Sequence, residues 1–144
     1  MNELQGSPTS IIGERSEGAV LAALLRAGRT VLLPFGGSHA YDLVTEQDGQ
    51  FLRIQVKHGV VRGGVIQFRP YSSTGKGATK VVRDYKGRAD LFGVYCSELD
   101  RVFLVPVDEV GVNSGYLRLV PPKNGQSHGV RLADQYELRA VVAQ

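Results

Sequence analysis

The pair Asp48-Gly49 limits how this chain can fold more than any other feature. It stands between two strand-like runs, residues 41–46 and 50–58, and Asp-Gly in that setting is the strongest short-range signal for a hairpin. With a two-residue turn, Gln47 pairs with Gln50 and the ladder runs back from there. Asp42 then falls opposite Gln55 on one face, with Lys57 diagonal to it. In the second strand Leu52, Ile54 and Val56 point one way and Arg53, Gln55 and Lys57 the other. The apolar set belongs to a core; the polar set is solvated or lines a site.

A helix is predicted over residues 10–28, where Val20, Leu21, Leu24 and Leu25 recur at helical spacing and Gly28 supplies the stop. Glu17 shares the face of Val20, Leu21 and Leu24, so its carboxylate sits at the inward edge of an apolar stripe and needs a partner or a metal. Glu14 takes its place if the helix is rotated by one step. Further strands are predicted over residues 30–35, 64–69, 91–96, 102–107 and 116–120, a short helix over 131–138, and a mobile Gly, Ser and Thr-rich loop over 71–80. No repeat or linker divides the 144 residues, so the expectation is one α/β domain spanning 1–144, with a mixed sheet.

Glu17, Asp42 and Gln55 make chemical sense together. Hard divalent cations take oxygen ligands, which Asp42, Glu17, the Gln55 amide and the Val56 carbonyl all offer. Lys57 neutralises a phosphate oxygen, or helps orient and deprotonate an attacking water. Each residue also has a plainer reading, such as a cross-strand ion pair between Asp42 and Lys57 or a first-turn acid at Glu17.

Charge points to the partner. The chain carries +3 overall, yet the segment from Arg53 to Arg88 holds nine basic residues and one acid. That concentration suggests a polyanion, bound through Arg53, Arg62, Arg69, Lys76, Lys80, Arg83, Lys86 and Arg88. Tyr71, Tyr85 and Phe68 interleave with these cations, although packing is the commoner fate of such rings. Other chemistries fail on inspection. The Ser73–Gly77 stretch lacks the spacing of a nucleotide-binding phosphate loop. His39, His58 and His128 are scattered without cysteine partners, which argues against zinc. The lone Cys96 forms no internal disulfide, residues 1–10 show no leader pattern, and no apolar run spans a bilayer. A cytoplasmic protein with no membrane partner is expected.

Gly13-Glu14-Arg15-Ser16-Glu17, Tyr41-Asp42-Leu43-Val44 and Ile54-Gln55-Val56-Lys57, in that order, resemble the PD-(D/E)XK nuclease superfamily. The archaeal-type Holliday junction resolvases and the group I intron homing endonucleases of the same fold are the most similar branches. The resemblance covers core motifs over residues 13–107 and implies a restriction-endonuclease-like fold, a mixed sheet flanked by helices. It implies metal-binding roles for Asp42 and Gln55, a catalytic role for Lys57, Glu17 as the helix carboxylate, and Ser38 as the counterpart of a resolvase-branch serine. Position 55 departs from the usual Glu or Asp, but the homing branch also uses Gln there. The implied function is a magnesium-dependent DNA endonuclease, with manganese as a substitute, acting as at least a homodimer. Resolution of four-way junctions stands first, a sequence-specific homing or restriction-like enzyme second, and an inactive DNA-binding module third.

Overall fold

Alanine and leucine dominate residues 19–27, and the computed structural model forms a single long helix before Gly28, α1, Pro8–Arg26. The structure describes residues 8–126 and 128–141, so the first seven residues of the stretch read for a leader lie outside it. Val20 and Leu24 are fully buried. Gly28 ends the helix at φ 76°, and the N–H of Arg29 reaches back to the Leu24 carbonyl.

The sheet follows from the hairpin. β1 (Thr30–Leu32), β2 (Leu43–Gln47), β3 (Gln50–Arg62), β4 (Val65–Phe68), β5 (Tyr71–Thr74), β6 (Val81–Asp84), β7 (Leu91–Cys96), β8 (Arg101–Pro106) and β9 (Gly115–Arg118) succeed one another along the chain. Gln47 pairs with Gln50 as the turn chemistry predicts, with Asp48 and Gly49 at φ 54° and 81°. At thirteen residues β3 outruns its expected end and serves three neighbours. Its start pairs with β2, its middle runs parallel to β7, and its end pairs with β4. The seven-stranded sheet runs β1-β2-β3-β4-β9, with β7 joining β3 and β8 joining β7.

Alternation along β7 separates two apolar clusters. Phe92, Val94 and Cys96 pack with Phe68, Tyr85, Phe103 and Val105. On the other face Leu91 and Tyr95 pack with Val20, Leu24, Leu43, Ile54 and Val56, beneath α1. Gly93 permits that seating: a Cβ there would lie 2.9 Å from Ile54 Cγ2 and 3.0 Å from Val20 Cγ1.

The expected α/β fold with a mixed sheet is observed; α1, the only α-helix among the described residues, covers one face, and the opposite face is covered by connections with short 3-10 turns at Val107–Glu109 and Ala133–Gln135. Two expectations are corrected. The short helix expected over residues 131–138 is only one 3-10 turn, Ala133–Gln135, between stretches that lie along the sheet. Arg118 N–H bonds the Arg131 carbonyl, Leu104 N–H bonds Tyr136, and Leu138 N–H bonds Val102. Open strand edges needed those partners more than eight residues needed a helix. Finally, the loop expected over residues 71–80 is the first half of a two-stranded ribbon, β5 paired with β6, turning through Gly75 and Gly77. The Val81-Val82 run supplied the second strand. No helix of the described residues is long and apolar enough to cross a membrane.

Candidate active site

β2 begins at Leu43, and the site lies just before it, at Asp42. Leu43 faces Ile54 in the ladder, yet the N–H of Asp42 also bonds the Ile54 carbonyl, at 2.8 Å. Two consecutive residues opposite one make a bulge, and the bulge re-aims the side chain of Asp42. The simple register with Asp42 opposite Gln55 is therefore corrected. The carboxylate turns into the plane of the sheet, and Oδ2 accepts the Val56 N–H at 2.9 Å. It fills the ladder position that another strand residue would have taken. The Val56 carbonyl on the same edge accepts from Gln55 Nε2 at 3.2 Å, which leaves the Gln55 amide oxygen free as a donor to a metal.

Because Asp42 lies at the sheet edge, groups from both faces reach it. Glu17 approaches from α1; it is half-buried, and its pKa is raised by burial, then by the charge of Asp42, then by Glu14. Asp42 is itself raised by burial, against the opposing pull of the Val56 N–H and Lys57. Ser16, beside Glu17 on the buried face of the helix, keeps a hydroxyl without a hydrogen-bond partner. Lys57 stands on the other face. Burial lowers its pKa to about 8, Asp42 opposes the fall and Arg69 adds to it. Its Nζ donates to the Tyr71 carbonyl at 3.0 Å and to the Tyr85 hydroxyl at 3.4 Å.

Two half-buried carboxylates that repel one another, an amide oxygen and a peptide oxygen are all hard oxygen donors, the chemistry that a divalent cation takes. Among the described residues no three His, Cys, Asp or Glu converge, so water or a phosphate oxygen would complete the coordination. Asp42, Glu17, Gln55 and the Val56 carbonyl are the groups that would hold such a cation.

Lys57 opens onto a groove of about 800 Å³ whose walls include Arg62, Gln67, Arg69, Tyr71, Ser72, Ser73, Asn113 and Tyr116. The basic residues divide into three sets. Arg62 and Arg69 line the groove, while Lys76, Lys80 and Arg83 stand exposed on the ribbon and its turn. The other three are engaged within the fold. Arg53 grips Asp90 through Nε at 3.0 Å and Nη2 at 3.1 Å, while its backbone N–H bonds the same carboxylate. Lys86 bonds the Val110 carbonyl, and Arg88 bonds the Asp84 carbonyl. Ser38 is exposed on the loop that leads to Asp42. His58 bonds the Ser97 hydroxyl at 3.0 Å, and Phe68, Phe92 and Tyr85 form an edge-on aromatic cluster. Charge counting did not single out Gln67 or Asn113. Only the pairing of β4 with β9 brings those distant segments to one groove.

The model of the PD-(D/E)XK endonuclease family matches residues 8–139. No curated protein matches the chain. Among solved structures it is similar to a bacterial homing endonuclease, I-Ssp6803I, with 23% identity, a TM-score of 0.72, and coverage of 91% of this chain and 89% of that one. Identity that low speaks to the fold alone.

Proposed function

The chain belongs to the PD-(D/E)XK endonuclease family, and from that premise we propose that it hydrolyses phosphodiester bonds of duplex DNA at chosen sites, with magnesium, or manganese in its place. The observation that carries this reading is the placement of Lys57 between the Asp42 carboxylate and a basic groove. A bound divalent cation would polarise the scissile phosphate and lower the pKa of the attacking water. The chain's own residues do the rest. Asp42, Glu17, Gln55 and the Val56 carbonyl hold the cation, and Lys57 offers its amine to the phosphate oxygen or the water. Arg62 and Arg69 offset the backbone charge along the groove.

Gln67, Asn113, Ser72 and Ser73 favour sequence reading, since neutral amides and hydroxyls on a groove wall suit base edges better than phosphates. Resolution of four-way junctions is the second reading, favoured by the exposed basic ribbon, which suits an open branch point. One site per chain cuts one strand, so cutting both strands calls for two copies.

The test is cleavage of an end-labelled duplex pool of randomised sequence and of a four-way junction, with magnesium or EDTA, by wild type and Lys57→Ala. Cuts at discrete duplex sequences, lost with EDTA and in the variant, are the expected result. Paired symmetric nicks confined to the junction would replace this reading with the second. Tight binding without any cut would leave an inactive DNA-binding module.

A further inference from the structure

Tyr85 is 5% exposed and packs edge-on against Phe92, with ring centroids 5.7 Å apart. Phenylalanine would make that contact equally well, and a buried phenol hydroxyl without a partner is unfavourable. The structure supplies partners: the Lys57 ammonium lies 4.8 Å from the centre of the Tyr85 ring and 3.4 Å from its hydroxyl, which also bonds the Ser72 side chain, and Arg88 stands 5.3 Å from the ring centre. The same ammonium is held from the other side by the Tyr71 carbonyl. Tyr71 opens β5 and pairs with Asp84 at the end of β6, immediately before Tyr85. The lysine is therefore clamped between the two feet of the basic ribbon.

We infer that Tyr85 is a positioning residue for Lys57: its hydroxyl and ring face fix where the ammonium stands relative to Asp42 and the groove. The inference rests on the nuclease reading for its consequence in catalysis, but not for the contact itself. A lysine side chain has four freely rotating bonds, and ring and hydroxyl together remove much of that freedom before DNA arrives. Tyr85 does not touch the scissile phosphate. It acts through Lys57 and leaves DNA binding to the arginines of the groove.

Tyr85→Phe separates the hydroxyl from the packing. On a cleavable duplex it is expected to lower kcat about three- to tenfold with KM within about twofold. Its melting temperature should stay close to that of wild type, and DNA affinity in EDTA should be unchanged. Tyr85→Leu, which also removes the ring face, should lower kcat by about a hundredfold.

A second readout needs no activity. In metal-free protein labelled with ¹³C at lysine Cε, a held Lys57 gives two distinct Hε shifts, assigned by their disappearance in Lys57→Ala, and Tyr85→Phe should merge them. Wild-type kcat together with retained splitting in Tyr85→Phe would overturn the inference, as would a loss confined to KM. If wild type cuts no duplex, the functional reading falls, and the Hε splitting alone then decides whether Tyr85 positions the lysine.

Discussion

Lys57 is unfavourably placed as an ammonium ion, and the sign of that effect can be followed through pH. Its pKa falls from 10.5 in the unfolded chain to about 8 in the fold, chiefly through burial. Between those values the unfolded chain binds more protons, so stability rises as pH climbs through that window; below about pH 8 the penalty is fully present. Lys57→Met should therefore raise stability by about 1–3 kcal/mol at pH 6.5, flatten the rise between pH 8 and 10.5, and abolish cleavage. Urea unfolding at both ends of the range checks it, and a variant less stable than wild type at pH 6.5 would contradict it. Ser16 carries a smaller penalty of the same kind, since its buried hydroxyl has no partner. Ser16→Ala should add about 1 kcal/mol, from removed desolvation and better helix propensity, read as a higher urea midpoint at unchanged slope.

The ribbon β5–β6 is the element that separates charge in the sequence from charge available to DNA. Lys76, Lys80 and Arg83 are exposed there, whereas Lys86 bends back to backbone carbonyls just beyond β6. Replacing the first three by alanine should weaken duplex binding and flatten the log–log salt dependence by about 2–3. Lys86→Ala should leave the slope unchanged, so an equal change in both would erase the distinction. That distinction was not legible in the sequence, because whether an exposed cation is already engaged depends on the carbonyls that the fold brings to it. The β2–β3 hairpin was legible, down to the pairing of Gln47 with Gln50, because turn chemistry and alternation are local. So were β7 and β8, whose continuous apolar runs announce burial. The bulge at Asp42 was not, since it depends on where β2 runs out against β3. The chain after residue 130 misled for a similar reason: bonds to the edges of β8 and β9 on either side of Ala133–Gln135 hold it to a single 3-10 turn. The order of Glu17, Asp42, Gln55 and Lys57 along the chain was visible, but their approach from opposite faces of the sheet was not.

At the scale of the whole molecule, Glu17 lies on α1 and Asp42 just before β2, and the fold holds them together against their mutual repulsion. Both carboxyl pKa values are raised, so the folded state favours their protonated forms, and at neutral pH their charges work against folding. A divalent cation bound between them reverses the effect: it binds only where fold has assembled both groups, and so it stabilises the native state by mass action. At a concentration about a hundredfold above its dissociation constant the gain is about 2.7 kcal/mol. For a domain of this size that raises the melting temperature by roughly 5–10 °C. Asp42→Asn keeps an oxygen for the Val56 N–H but removes the charge. In EDTA it should melt at or above wild type, because the repulsion with Glu17 is gone; in magnesium it should lose most of the wild-type increase. Opposite signs in the two conditions are the signature of a metal site, and calorimetry of both proteins with magnesium and with EDTA reads them directly. An equal magnesium shift in both proteins would place the cation elsewhere, and a variant that melts well below wild type in EDTA would make Asp42 a structural cap of Val56 and no more.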